Sequence, residues 1–461
     1  MAEAEPQQLS NESDVDEQAN YFPPELVGHF VNDSTTLYHL YLIELRRNFE
    51  YDIPIHDIVL AVRTELELDD ENLIFDLEVD QGSLTVHMKY VGVVSLTSEE
   101  VPLCLRFQIT LFSILVNRNL KKLKGILDAF HLRNDLAVFD YLLLPSTRSH
   151  LHQNRGIIDW KCVRSVLFPG QNLCNNHTND CLPEGHGRRR LHTKNGSVCS
   201  CMLENSLVHT PHNGSVFCIT GILDDLDGNS LKDGEAISYK QYYKRHGIEL
   251  GFGRESLLNG RHIFSVENYL LRYRQQKEKE RSNTSVQLPP ELCYIIMSPI
   301  SIATFYSFSF VPSIMHRIES LLIAVNLKKM LADDCMQKVV IPTMKVLEAI
   351  TTKKCQEKFD LESLEILGDS FLKYATSQQL FKTYPNDGEG FLSAEREKII
   401  SNNALCKLGC DHKLPGFIRN DPFDPKMWII PGDQSRNYSL DEELLFSTIK
   451  VYNRGKKEGK K

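Results

Sequence analysis

Three segments near the N-terminus alternate apolar and polar positions. Residues 37–45 (LYHLYLIEL), 72–79 (NLIFDLEV) and 83–94 (SLTVHMKYVGVV) carry the two-residue period and the β-branched content of half-buried strands. Asp80-Gln81-Gly82 breaks the second from the third. The period then changes. Leu103, Phe107, Leu111, Ile114 and Leu115 recur at three- and four-residue intervals, which predicts a helix. From 131 to 295 the apolar segments shorten, and Gly, Asn, Pro and His become frequent. SVFCITGIL (215–223) predicts a strand followed by a turn-rich stretch. YKQYYKRHGIEL (239–250) opens as an aromatic and basic segment. YLLRYRQQKEKERSN (269–283) reads as a charged helix or linker, ending at the paired prolines of LPPELC. Beyond residue 296 the helical period dominates. A helix opening at Pro312 repeats Ile314, Ile318, Leu321 or Leu322, and Val325. TMKVLEAIT continues the pattern, and 361–375 and 390–410 predict two further helices. There is no internal repeat.

Bulk properties narrow the class. A chain of 461 residues with 42% hydrophobic and 25% charged content is long enough for two to four folded domains. No uninterrupted apolar run reaches the roughly 18 residues needed to cross a bilayer. The N-terminus has neither the basic nor the apolar region of a secretory signal. Twelve cysteines without such a signal are expected to be reduced thiols, so the expectation is an intracellular protein, in nucleus or cytoplasm, without a membrane partner. The net charge of −9 is concentrated at one end. The first 20 residues hold six acids and no Lys or Arg, which leaves −3 on the other 441. Those 20 residues are expected to be disordered, and the rest is neutral enough to hold local basic patches for phosphate contact.

The candidate chemistry lies in LESLEILGDSFLKYA (361–375). Glu362, Glu365 and Asp369 are spaced by three and four, so a helix places them on one side. Leu361, Leu364, Leu367, Phe371 and Leu372 mark the same segment as a core helix. Like charges at this spacing repel by a few tenths of a kcal/mol, roughly. A hard divalent cation such as Mg²⁺ would offset that repulsion; a solvated acidic edge is the alternative. Gly368, between the acids, costs about 1 kcal/mol of helix propensity.

A second candidate is the interleaving of Tyr239, Tyr242 and Tyr243 with Lys240, Lys244 and Arg245. Aromatic faces stack on bases and basic groups meet phosphates; tyrosines packed into a core are the alternative. Arg188, Arg189 and Arg190 are a further candidate phosphate contact, or a solvated loop. Residues 174–218 gather Cys174, His177, Cys181, His186, His192, Cys199, Cys201, His209, His212 and Cys218. The spacing fits no standard zinc finger, so dispersed reduced residues are expected there rather than a metal site.

The full string ESLEILGDSFL resembles the signature helix of the ribonuclease III family, with VLEAITTKKC before it and ISNNALCKLG after it. GIIDWKCVRSV, YKQYYKRHGIEL and LPPELC resemble the PAZ domain and its exit in Dicer proteins, and YFPPELV resembles the platform that precedes PAZ. In order and wording the chain resembles the plant Dicer-like proteins, nearest the Dicer-like 2 class, over residues 21–455. The resemblance implies a multidomain α+β chain. A β-rich platform (21–130) and a PAZ domain of the small OB-like barrel type with a charged connector (131–295) would precede an all-α ribonuclease III domain (296–451) and a basic tail (452–461). It implies a magnesium- or manganese-dependent endoribonuclease that cuts double-stranded RNA into small interfering RNAs. Glu365 and Asp369 would hold the metal, with Glu362 in support. Tyr242 and Tyr243 match the paired tyrosines of the pocket for an RNA 3′ overhang, while His246 and Gly247 stand where a further tyrosine is common. Partners implied are double-stranded RNA, a second ribonuclease III domain and double-stranded-RNA-binding proteins. The family also uses an Asp and a Glu three residues later on a following helix, and no such pair appears before Lys461. The expectation is therefore a fragment, a truncated gene model or a shortened isoform that alone cleaves duplex RNA poorly or not at all, serving as an RNA-end-binding module.

Overall fold

The computed structural model describes residues 21–28, 35–68, 73–117, 138–147, 154–166, 189–232, 236–273, 285–333 and 341–433. The acidic N-terminus, Arg188 and the basic tail lie outside the described residues. The chain divides into two compact units. One comprises 23–364 with 419–438; the other comprises 365–418 with the two terminal segments.

The first unit opens with an antiparallel sheet. Strands β1 (Thr35–Arg47), β2 (Ile58–Val62), β3 (Ile74–Val79), β4 (Gly82–Thr97) and β5 (Tyr141–Pro145) lie in the order β3-β4-β1-β2-β5. The alternating segments form β1, β3 and β4 as their period predicts. The two continuous apolar strands, IVLAV and YLLLP, are buried at every position, so neither shows the alternation of a half-solvated strand. Helix α1 (Glu100–Phe112) supplies the buried Gln108. Its amide accepts from Leu143 N and donates to Tyr141 O and Pro431 O, so the outer edge of β5 is not left as bare backbone.

A second antiparallel sheet follows. A hairpin of β6 (Arg190–Thr193) and β7 (Gly196–Cys199) precedes β8 (Ser206–Thr210) and β9 (Ser215–Asp227). Helix α2 (Tyr239–Arg245) comes next, then β10 (Ser256–His262), β11 (Ser285–Leu288) and β12 (Tyr294–Met297). Four pairings join five of these strands in the order β11-β10-β9-β8-β12. Leu191, Val198, Leu203, Val208, Phe217, Ile219, Leu258 and Ile295 form its core. Residues 269–273, expected to begin a helix or linker, form a turn and an isolated bridge from Leu271 to Glu357.

From Ser301 to residue 433 the described residues hold helices and no strand. Helices α3 (Ile302–Ser309) and α4 (Val311–Asp333) are long and apolar enough together to cross a membrane, but 89% of their most apolar 18-residue window is buried inside the chain. Ile314, Ile318, Leu321 and Leu322 are at most 1% exposed, each contributing about 1.5–3 kcal/mol by burial. Helix α5 (Thr343–Ala349) leads through a short loop to α6 (Glu362–Thr383). The single helix expected over 390–410 is instead two, α7 (Glu389–Ile400) and α8 (Asn402–Asp411). The cause is Ser401, whose extended backbone ends α7 while its hydroxyl accepts from Ala404 N and starts α8.

A buried ion cluster closes the first unit. Glu357 accepts from Arg317 Nη2 at 2.6 Å and from Arg419 Nη2 at 2.5 Å. Burial pushes its carboxyl up, but the two guanidinium groups outweigh that and hold it below the usual range. Arg419 also donates to His316 Nε2 at 2.7 Å, and Phe423 stacks on that imidazole with centroids 4.2 Å apart. Burial and then the two arginines push His316 well down, so it is a neutral acceptor. Replacing Glu357 with Ala leaves two buried cations facing each other. The variant is expected to lose about 3–5 kcal/mol of stability, read as a lower urea midpoint, with Glu357→Gln falling between it and the parent.

Candidate active site and nucleic-acid interface

Helix α6 begins where Asp360 accepts from Glu362 N at 3.1 Å. The helix places Glu362, Glu365 and Asp369 within about 60° of one another around its axis. All three are exposed. Glu362 is turned to Lys353, whose ammonium reaches both carboxylate oxygens at 3.0 and 3.1 Å; that contact holds the Lys353 pKa above its ordinary value. Lys373 approaches Asp369 at 4.0 Å. Glu365 and Asp369 thus present hard oxygen donors one turn apart with open solvent beside them, and Mg²⁺ takes one or two carboxylates and keeps several waters. The donor set fits such an ion. A Cβ on Gly368 would meet nothing within 4 Å among the described residues, so their packing does not require the glycine.

The expectation of a core helix is not met. Leu367 is 66% and Phe371 64% exposed, and Leu380 is the one fully buried residue of α6. The reason lies in the distribution of side chains. Ile366, Leu367, Phe371, Leu372 and Tyr374 are spread around most of the circumference the acids leave, a pattern that needs cover on several sides.

The second site is built on α2. Its start is fixed by a capping box: Ser238 Oγ accepts from Gln241 N, and the Gln241 side chain accepts from Ser238 N. Its end is Gly247, at φ +76°. The helix divides the three tyrosines. Tyr239 is 2% exposed and Tyr243 8%, both packed with Leu250, Leu257 and Leu292. Tyr239 is therefore a core residue and not available to stack on a base. Burial pushes the Tyr243 hydroxyl well up. Tyr242 is half-buried at the surface, with the Lys232 ammonium 4.5 Å above its ring and His246 at 4.6 Å. His212, from the turn between β8 and β9, meets the Tyr243 ring edge-on at 5.9 Å. Burial, followed by Lys194, lowers the His212 pKa, and burial followed by His212 lowers that of His209, so both imidazoles are neutral near pH 7. Lys244 and Arg245 are exposed in the last turn of α2. Lys232, His212 and His246 complete this basic and aromatic patch. Lys232 carried no sequence signal, because a loop residue joins Tyr242 only through the fold; His212 was noted only among possible zinc ligands.

Two members of the arginine triplet, Arg189 and Arg190, are exposed and also hydrogen-bonded within the fold. Arg189 donates to Asp224 at 3.0 Å and Ser256 at 2.5 Å, and Arg190 donates to Ser197; Arg188 lies outside the described residues. So do Cys174, His177, Cys181 and His186. His192 is bonded to Glu255 and stacked on Phe252, while Cys199 and Cys218 are buried. Among the described residues no three His, Cys, Asp or Glu side chains are gathered as metal ligands.

Residues 177–321 match the PAZ domain family and residues 362–457 the ribonuclease III domain family. Endoribonuclease Dicer homolog 2 of Arabidopsis thaliana is 48% identical over 456 residues, 98% of this chain and 32% of that protein. The chain is a homologue of the plant Dicer-like proteins. Endoribonuclease Dicer homolog 2b of Oryza sativa subsp. japonica is 42% identical over 90% of this chain and 30% of that protein. The chain thus spans about a third of the length of these Dicer relatives. A solved Dicer from Giardia intestinalis aligns with 90% of this chain and 56% of its own at 17% identity, with a TM-score of 0.39. Tyr242 lies within the PAZ match, and Glu362, Glu365 and Asp369 within the ribonuclease III match.

Because α2 carries Tyr242, its cap matters. Ser238→Ala is expected to cost about 1 kcal/mol and to speed amide hydrogen exchange across Tyr239–Arg245 while leaving β1–β5 unchanged.

Proposed function

We propose that this chain is the RNA-end-binding and first catalytic region of a Dicer-type endoribonuclease. The reading is that the protein cuts double-stranded RNA into small interfering RNA duplexes by divalent-metal-dependent phosphodiester hydrolysis inside the cell, in nucleus or cytoplasm. The observation that carries it is the exposed Glu365–Asp369 pair at the start of a helix that matches the ribonuclease III family.

Glu365 and Asp369 would hold Mg²⁺ or Mn²⁺. When bound, the ion supplies charge stabilisation and an activated water for attack at phosphorus. Lys353 keeps Glu362 oriented and offsets part of the negative charge at the helix start. Lys373 lies where a cation would meet a phosphate oxygen beside Asp369. Two carboxylates alone hold such an ion weakly, so further donors are required. The exposed apolar girdle of α6 supports their source: a second ribonuclease III domain packed against it would cover Leu367, Phe371 and Tyr374 and bring its own carboxylates near.

In the PAZ region, Tyr242 with Lys232, His212 and His246 would take the 3′ overhang, and Lys244 with Arg245 the adjacent phosphates. Double-stranded-RNA-binding proteins are the further partners this reading implies.

Two arms test the proposal. A short duplex with a two-nucleotide 3′ overhang should bind the chain more tightly than its blunt counterpart. Tyr242→Ala should remove about 1–3 kcal/mol of that preference, roughly 5- to 150-fold. Equal binding of both duplexes would overturn the end-binding reading. In the full-length protein, Glu365→Gln and Asp369→Asn should each lower magnesium-dependent cleavage by about 100-fold or more. Undiminished cleavage would remove these residues from the metal site.

A further inference from the structure

Helix α8 carries Cys406 and Cys410 one turn apart, so both thiols project from the same side. The cysteines of the described residues divide by burial. Cys104, Cys162, Cys199, Cys218, Cys293 and Cys355 are buried, Cys201 and Cys406 are exposed, and Cys410 is half-buried. Among the described residues α8 is therefore the element that offers two solvent-reachable thiols to each other. Partial burial, then the neighbouring sulfur, pushes the Cys410 thiol up.

The backbone permits closure. Residues four apart in a helix have Cα atoms about 6 Å apart, from the rise per residue, inside the roughly 4.4–6.8 Å that a disulfide spans. Their Cβ atoms start about 5–6 Å apart, so the turn has to draw in by about 1–2 Å. It is the last turn of α8. His412 caps it, Lys413 leaves in the left-handed region at φ +56°, and no residue of the helix is fully buried, so little packing opposes the movement. A bond formed with some strain is one that thiols reduce easily, the property of labile disulfides.

We propose that Cys406 and Cys410 are a reversible dithiol–disulfide pair, a modification site for two-electron oxidants of the peroxide class. The exposed Cys406 thiolate attacks the peroxide O–O bond. One oxygen stays on sulfur as a sulfenic acid, and the other leaves as hydroxide and takes a proton. The Cys410 sulfur then displaces the sulfenic oxygen as water and forms the S–S bond. The two thiols give up two electrons, and one hydrogen peroxide becomes two waters. A dithiol reductant reverses the step. The site is independent of the nuclease reading, since it uses neither the acidic stripe nor the tyrosine patch.

Lys407 lies between the two cysteines, which makes the test direct. The folded chain is treated with dilute hydrogen peroxide, its remaining thiols are alkylated, and it is digested with trypsin. Cleavage after Lys407 places Cys406 and Cys410 on separate peptides. The expected result is one species joining those peptides, two hydrogens lighter than their sum. It should come from monomeric chain and disappear after dithiothreitol or in Cys410→Ser. In that variant Cys406 should pass on to the sulfinic acid. Full alkylation of both cysteines after peroxide would overturn the proposal. So would a linked species found solely in a crosslinked dimer, or oxidation of Cys406 at the same rate to the same product with and without Cys410.

Discussion

A single carboxylate ties the larger unit together. Glu357 sits in the loop before α6, Arg317 on α4, and Arg419 on the segment returning after the helices. Two cations that close in low dielectric would repel strongly without it, and one buried acid without them would be forced neutral. Each charge is tolerable because the other two are present. Backbone bonds follow the same path: Arg419 N donates to Ile350 O, and Thr352 donates to Arg419 O. The point from which α6 departs is thereby fixed to the long buried helix α4.

The contrast between α4 and α6 shows what patterning conveys. Both were legible as helices from spacing. In α4 the apolar residues are met by the chain's own side chains. In α6 they wrap most of the circumference, and the described residues cover almost none of it. Periodicity reports how many sides of a helix want cover; it does not report whether the same chain provides it. That difference is why spacing conveys the helix and not its burial.

The candidate sites were legible to different depths. Carboxylate spacing along one helix is local, so Glu365 and Asp369 could be named from sequence. The tyrosines needed the fold. Tyr239 and Tyr243 sit four apart and pack inward, which leaves Tyr242 at the surface. Its companions Lys232 and His212 arrive from loops that are adjacent only after β8, β9 and α2 assemble. Arg189 shows a related effect: Asp224 and Ser256, remote in sequence, engage a guanidinium that stays exposed. The split of 390–410 into two helices turned on Ser401, which propensity treats as a mild helix residue and geometry uses as a cap for its successor.

Gly368 has a further meaning for the energetics of α6. With nothing within 4 Å of its missing side chain, an alanine would fit and would add about 1 kcal/mol of helix propensity. The chain forgoes that gain one residue before Asp369. By its own contacts α6 is thus less stable than the same backbone allows, and the bare backbone it keeps is a vacancy of methyl size on the solvent side. A group approaching α6 at Gly368 would meet bare backbone and no side chain of the described residues.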